Sequence, residues 1–399
     1  MTMDSTSPYF RDRMNEVVVV GAGVVGASVA FHLAERGVET LVIDREGPAA
    51  GSTARSGALI RAHYPTSLEA DLAWESLIHY FEPWSERVGG GCGFTRTGFA
   101  YLVAAVNVAA LRHNVALQQR VGVDTGIVEP EELTEIEPAL TTEGVALAAY
   151  EPRGGYADPA ATAVGFLRAA QVLGARFERR RATALLLRND RVRGVQTAEG
   201  AVESDVVVLA AGAWSVPLAG GVNLDLPMSP ARVRVALFER PYALPTHLTL
   251  IDTTEGFYAR PTAERATLVG SRDSLEWIDD PDPPAPEPDG PFVAEASRKL
   301  ALRLPALAGA PYRSGRSGIL DMTPDGRPLL GPAGPVGLYL ATGWSGTGFK
   351  KAPAVGAEMA RWISDGAPKR PELEDYNLAR FETGVPIRGE HEYALAAPH

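Results

Sequence analysis

Gly21, Gly23 and Gly26 stand at GxGxxG spacing directly behind the apolar run Val17–Val20, an arrangement whose chemistry is the holding of a diphosphate. Gly21 permits a tight turn, Gly23 lets backbone approach a pyrophosphate with no side chain between, and Gly26 lets helix pack on strand. A helix opening there points unpaired N–H groups and the positive end of its dipole at the phosphates. Asp44 closes a second apolar run 18 residues beyond Gly26, where a carboxylate can accept both ribose hydroxyls. Strand, turn, helix, a stop at Gly37 and the acid are all in register, so the stretch reads as a dinucleotide-binding unit. Cations are the second resource. Lysine is scarce, occurring only as Lys299, Lys350, Lys351 and Lys369, and two of the four sit together at the end of the glycine turn GWSGTGFKK.

Those residues need a scaffold, and 399 residues with 45% hydrophobic and 22% charged content suffice for two domains with sizeable cores. The formal charge of -11 argues against a general attraction to nucleic acid or anionic membranes, so an anionic ligand must be held by local cations. No apolar run reaches the length of a membrane span, and the first residues lack the apolar core of a signal peptide, which makes the cytoplasm the expected location. Cys92 is the only cysteine, so neither an internal disulfide nor a cysteine-based metal cluster is expected, and simple packing is its expected role.

The expected elements follow from periodicity. A glycine- and serine-rich loop, GPAAGSTARSGALIRAHY, leads into a helical stretch over 67–87, and residues 94–104 read as a strand. Residues 128–140 give a short helix between two prolines. The segment 156–215 carries a helix stopped by Gly174, a hairpin turning at Asn189 and Asp190, and a buried strand running into AAGAWS. Residues 226–275 are strand-rich, 281–290 form a proline-rich surface loop, and the last block has a strand at 336–341 and a helix at about 354–364. Residues 384–399 read as a frayed tail. Glycine-rich segments near 51, 212 and 346 can all approach one ligand, and a long ligand threading several segments suits FAD better than NAD.

Taken in order, VVVVGAGVVGASVAFHLAERG with Asp44, the GSTARSGALIR loop, GYADP, VVLAAGAWS, TPDGRPLLG and GWSGTGFK resemble the D-amino-acid oxidase superfamily of FAD-dependent oxidoreductases, in its sarcosine oxidase and glycine oxidase branch. The resemblance covers nearly the whole chain. It implies an α/β fold, α+β overall: a Rossmann-type FAD-binding domain (14–88, 150–222 and 315–380) interleaved with a substrate domain built on an antiparallel sheet (89–149 and 223–314), with flexible termini at 1–13 and 384–399. It implies oxidation of a C–N bond of an amino acid or secondary amine to an imine, with oxygen as acceptor giving hydrogen peroxide, or a dehydrogenase passing electrons to a quinone or partner protein. Neither nucleic acid nor a membrane span enters this reading.

Carried over residue by residue, the resemblance assigns Gly21, Gly23, Val25 and Gly26 to the pyrophosphate turn, Asp44 to the ribose and Arg45 to the adenosine. Ser52, Ser56 and Gly57 match the loop passing the pyrophosphate and ring, Ala182 the backbone beside adenine, and Gly212 and Trp214 a small-residue turn. Gly346, Thr347, Gly348 and Lys350 match the turn under the pyrimidine end of the flavin, Thr347 replacing a frequent histidine. Arg61 and Lys350 match the binders of the substrate carboxylate, and the chemistry agrees, a planar guanidinium clamping both oxygens while an ammonium adds a point charge. Lys351 is expected to be exposed and His32 structural; His63 is either a pocket group or a hydrogen-bonded bystander, and Trp344 a wall or core. Tyr258 and Arg260 come from the strand facing the flavin, although alternation leaves open whether Phe257 or Tyr258 points inward. The position of the cysteine linkage to flavin in monomeric sarcosine oxidase falls at about Gly318, so non-covalent FAD is expected. The lysine which that enzyme places over the flavin for reaction with oxygen falls at Leu268, leaving Arg260, Arg272 and Lys350 as candidate cations.

Overall fold

The computed structural model describes residues 16–271, 275–282 and 286–394. Val17–Val20 forms the centre of a six-stranded sheet, flanked by Thr40–Asp44 and Arg176–Arg179 on one side and by Val207–Leu209, Leu338–Thr342 and Leu329–Pro332 on the other. All neighbours are parallel except the last pair. The unbroken valine run is explained by burial on both faces. Val17 and Val19 pack with the helices Val24–Glu35 and Gly348–Asp365, whereas Val18 and Val20 pack with the hairpin of Ala182–Arg188 and Arg191–Thr197. That hairpin turns at Asn189 and Asp190, both with positive φ, as the sequence anticipates. Gly26 earns its place by close approach, since a Cβ there would lie 2.0 Å from the Gly21 carbonyl oxygen.

A second, nine-stranded sheet carries Ser229–Glu239, Thr249–Asp252, Phe257–Pro261 and Ala266–Ser271 together with Phe99–Val103 and Leu147–Glu151. It is antiparallel except where Thr249–Asp252 runs beside Phe99–Val103. One face is apolar and packs with the helix Gly290–Arg303; the other presents Tyr101, Ile251 and Tyr258 to a cavity. Phe257 belongs to the first face and Tyr258 to the second, which resolves the alternative left by strand alternation.

Three expectations are corrected. The helix at the end of the glycine turn begins at Gly348 rather than near residue 354, with Pro353 tolerated close to its start, so Lys350 and Lys351 are helical residues. The stretch 67–87 is divided, Ser67–Ser76 passing into a wider turn at Leu77–Phe81 and resuming at Trp84–Arg87 after Pro83. Finally, the part of the expected frayed tail that is described is tied down: Ala394 N donates to Asn107 Oδ1 at 2.8 Å and Ile387 N to Asp325 Oδ2 at 3.1 Å. Among the described residues no helix is long and apolar enough to cross a membrane.

Candidate active site

A cavity of about 1120 Å³ runs between the two sheets, exceeding the roughly 300–1,000 Å³ of a typical small-ligand pocket and so able to take an extended one. Its nucleotide-type end is built by the βαβ unit. Gly23 caps the Val24–Glu35 helix without a side chain of its own, and the first helical amide, Val24 N, donates to Thr53 Oγ1 at 3.1 Å, so the helix N-terminus and the Thr53 hydroxyl face the cavity together. Asp44 ends its strand on the same cavity, one oxygen accepting from Ala22 N at 2.9 Å and the other from Glu46 N at 2.9 Å. Arg45 stacks 4.6 Å over the Trp214 ring, and Asp282, from the start of the proline-rich loop, accepts from Trp214 Nε1 at 2.7 Å and pairs with Arg45 and Arg181.

Of the expected cofactor residues, Gly21, Gly23, Val25, Asp44, Arg45, Ser52, Ser56, Gly57, Ala182, Gly212, Trp214, Gly346, Thr347, Gly348 and Lys350 all line this cavity. Gly26 does not; it sits behind the turn, where its contribution is packing. These features fit an FAD molecule: a helix N-terminus on the cavity, a carboxylate beyond it, and glycine-rich loops converging from distant parts of the chain.

At the other end Arg61, His63, Tyr258 and Lys350 line the same space, as does Trp344. Arg61 follows the short strand Leu59–Ile60, and its guanidinium lies 4.4 Å over the Tyr64 ring, with Nη1 donating to the His63 carbonyl and a buried Nε that has no partner among the described residues. Lys350 is buried and makes no ion pair among the described residues, its Nζ lying 5.9 Å from the Tyr64 ring. Burial first, then repulsion from Arg61 and Lys351, lowers its pKa well below the usual lysine range. His63 is driven to about 3 by burial and by Arg61, so the imidazole is neutral, with Nε2 2.6 Å from the Tyr393 hydroxyl. Tyr258 lies so close over Gly270 that a Cβ there would come within 2.2 Å of the ring, and burial raises its hydroxyl to about 12.

Lys351 is not exposed. It is 1% accessible and pairs with Glu69 Oε1 at 2.6 Å, while Arg327 reaches Glu69 Oε2 at 2.7 Å. Burial pushes the Glu69 carboxyl up, but Lys351 and Arg327 outweigh that and hold it below its ordinary value. The helical turn explains the difference between neighbours: adjacent residues on a helix point about 100° apart, so Lys350 meets the cavity and Lys351 meets the helix Ser67–Ser76.

Of the candidate cations for oxygen, Arg260 is committed to the Gly57 carbonyl and, at 3.0 Å, to the Pro261 carbonyl, and is absent from the lining. Leu268 is fully buried and also absent from it; Arg272 lies outside the described residues. His32 is structural, with Nε2 3.1 Å from the Pro353 carbonyl oxygen. Cys92 packs in the core, its thiol raised to about 11 by burial, while Gly318 lines the cavity.

Sequence reasoning missed Tyr64, Tyr101, Glu151, Arg327, Glu392 and Tyr393. Glu151 is buried, accepts from Ala62 N at 2.8 Å beside Arg61, and burial raises its carboxyl to about 7. The signal for Tyr64 was present, three residues after Arg61; for the others nothing local distinguishes them.

The fold and the cavity together define a flavoprotein oxidoreductase, and the chain belongs to the FAD dependent oxidoreductase family, whose model matches residues 16–362; FAD is its cofactor. It is 29% identical to FAD-dependent oxidoreductase domain-containing protein 1 of Bos taurus, covering 93% of this chain and 85% of that one. It is 27% identical to mitochondrial dimethylglycine dehydrogenase of Mus musculus over 91% of this chain, and spans only 44% of that longer protein. The crystal structure of L-proline dehydrogenase from P. horikoshii superposes with a TM-score of 0.86 at 29% identity, covering 94% of this chain and 100% of that one.

Proposed function

We propose that the protein oxidises a C–N bond of an amino acid or secondary amine, N-alkyl or cyclic, to the imine, which water then hydrolyses. The observation that carries this reading is the pair Arg61 and Lys350 on one cavity with the glycine-rich loops, the buried lysine making no ion pair among the described residues. A substrate carboxylate supplies an anion. Arg61 clamps it, and its approach favours the charged form that burial disfavours on Lys350. Held by its carboxylate, the neutral amine would be oriented by these residues, which also exclude water. FAD, when bound, supplies the acceptor for the hydride equivalent. Two relatives support the class of substrate by name, since dimethylglycine and L-proline are both N-substituted amino acids.

In this reading residues 14–88, 150–222 and 315–380 bind FAD and residues 89–149 and 223–314 bind substrate. The cofactor is non-covalent. Asp44 would hold the ribose, the turn from Gly21 to Gly26 the pyrophosphate, and the Gly346 to Lys350 segment the flavin ring. Oxygen, giving hydrogen peroxide, is the acceptor. A second reading, a dehydrogenase serving a quinone or partner protein, is favoured by the two relatives named as dehydrogenases.

The test is an anaerobic panel of amino acids, N-methyl amino acids, cyclic imino acids and plain amines, scored by bleaching of the flavin in the parent and in Arg61→Met. The carboxylated secondary amines should bleach the parent, and Arg61→Met should retain flavin while losing roughly 2 to 5 kcal/mol in kcat/KM. A plain amine as the best substrate, or an unchanged substrate constant in the variant, overturns the clamp.

A further inference from the structure

The last described segment of the chain is fitted into a prepared groove. Asn107 and Asn114, 4% and 0% accessible, sit at the start and in the middle of the helix Val108–Arg120 and spend their side-chain amides on it. Asn107 Nδ2 donates to the Ala394 carbonyl at 3.0 Å, Asn114 Nδ2 to the His391 carbonyl at 2.9 Å, and Ala394 N returns a bond to Asn107 Oδ1 at 2.8 Å. On the other side Glu390 N donates to the Pro65 carbonyl at 3.1 Å, and Glu392 pairs with Arg327 at 3.2 Å. Buried amides are costly unless bonded, so two of them given to one stretch of backbone fix where that stretch lies.

What they deliver is Tyr393. Its ring centroid is 5.0 Å from that of Tyr101 and 5.9 Å from that of His63, and its hydroxyl is 2.6 Å from His63 Nε2. His63 in turn stacks on Tyr101 at 4.4 Å and accepts Arg61 Nη1 through its carbonyl. All four residues line the cavity. A carboxylate on Arg61 therefore has an aromatic wall beside it, and one panel of that wall comes from the far end of the chain. Because His63 is neutral in its buried position, the Tyr393 contact is an uncharged hydrogen bond, and the wall stays apolar toward a side chain.

We propose that Tyr393, held by Asn107 and Asn114, sets the size limit for the substrate side chain, admitting small or ring-closed amino acids and refusing bulky ones. This rests on the carboxylate clamp proposed above. The residue acts through shape, so a size ratio, not total activity, reads it.

The test uses holoprotein of the parent, Tyr393→Ala and Tyr393→Phe, each checked for flavin content, and titrates acetate, propionate and phenylacetate against the visible flavin spectrum. Tyr393→Ala should shift the phenylacetate-to-acetate affinity ratio toward phenylacetate by on the order of tenfold, as expected for a large group admitted to an apolar pocket. Tyr393→Phe, which keeps the ring, should preserve the parent's ratio whatever it does to absolute affinity. Equal ratios in all three proteins overturn the proposal, and so does a parent that binds none of the three acids. Size discrimination by carboxylates in a parent whose flavin no amine bleaches would leave the wall standing and overturn the catalytic reading alone.

Discussion

Glu151 owes its properties to its surroundings. A glutamate ending an apolar strand would ordinarily turn to solvent; this one is buried, holds the Ala62 amide and sits beside Arg61, with a carboxyl raised to about 7 from an ordinary 4.5. Between those two values the folded chain holds a proton that the unfolded chain has released. The group's contribution to stability is thus complete below about pH 4.5 and declines as pH rises to about 7, by on the order of 3 kcal/mol. Glu151→Gln should remove that decline: urea unfolding of parent and variant at pH 4.5 and pH 8 should show the parent losing stability relative to the variant, and parallel values would refute the assignment. The same step bears on the clamp, because the ionised carboxylate above neutrality competes with a substrate for the field of Arg61.

At the level of elements, the helix Gly348–Asp365 is held to the helix Ser67–Ser76 by the Lys351–Glu69 ion pair, and Arg327, just before the strand Leu329–Pro332, is held to it by another on the same Glu69. The carboxylate is 1% accessible and receives two cations and the Thr66 hydroxyl at 3.0 Å. Removing its charge while keeping its shape leaves Lys351 without an anion and Arg327 with only its pair to Glu392. Glu69→Gln should therefore cost about 3 to 5 kcal/mol, read as a lowered urea midpoint of the holoprotein. A midpoint unchanged within error would mean that Lys351 finds water or another partner. The placement of Lys350 on the same turn makes a second consequence visible, since a loosened helix start should also weaken the clamp.

For the whole molecule, the long cavity is closed by parts of the chain that are far apart in sequence, and covalent attachment is not needed to keep a ligand so surrounded. Cys92 packs in the core and is absent from the cavity lining, and the lining position nearest the linkage expected from the resemblance, Gly318, carries no thiol. Acid precipitation should leave the yellow colour in the supernatant; a washed pellet that stays yellow would require another linkage. The choice of electron acceptor also belongs here. With Leu268 buried and Arg260 committed to backbone carbonyls, Lys350 is the one of the described candidate cations that lines the cavity. Reoxidation by oxygen should accordingly be slower than in a relative with a lysine over the flavin, measured by stopped-flow mixing of the photoreduced protein with oxygenated buffer. Rapid reoxidation persisting in separate Arg260, Arg272 and Lys350 variants would dissociate the step from these three cations.

From sequence alone the nucleotide half was legible, because its signals are local: apolar runs, glycines and an acid at set spacing follow directly from backbone geometry and short-range packing. The turn at Asn189 and Asp190, and the approach of three glycine-rich segments to one cavity, are of the same kind. The substrate end was read only through Arg61, His63, Tyr258 and Lys350, which lie in or beside recognisable motifs. Phase on a strand or helix decided the rest. One residue of offset sends Phe257 into the core and Tyr258 to the cavity, or Lys350 to the cavity and Lys351 to Glu69, and periodicity alone does not say which face is covered. Glu151 and Tyr393 reach the site by contacts 89 and 330 residues long, Ala62 with Glu151 and His63 with Tyr393, and such pairings exist only once the chain has folded and the protein itself has become their solvent.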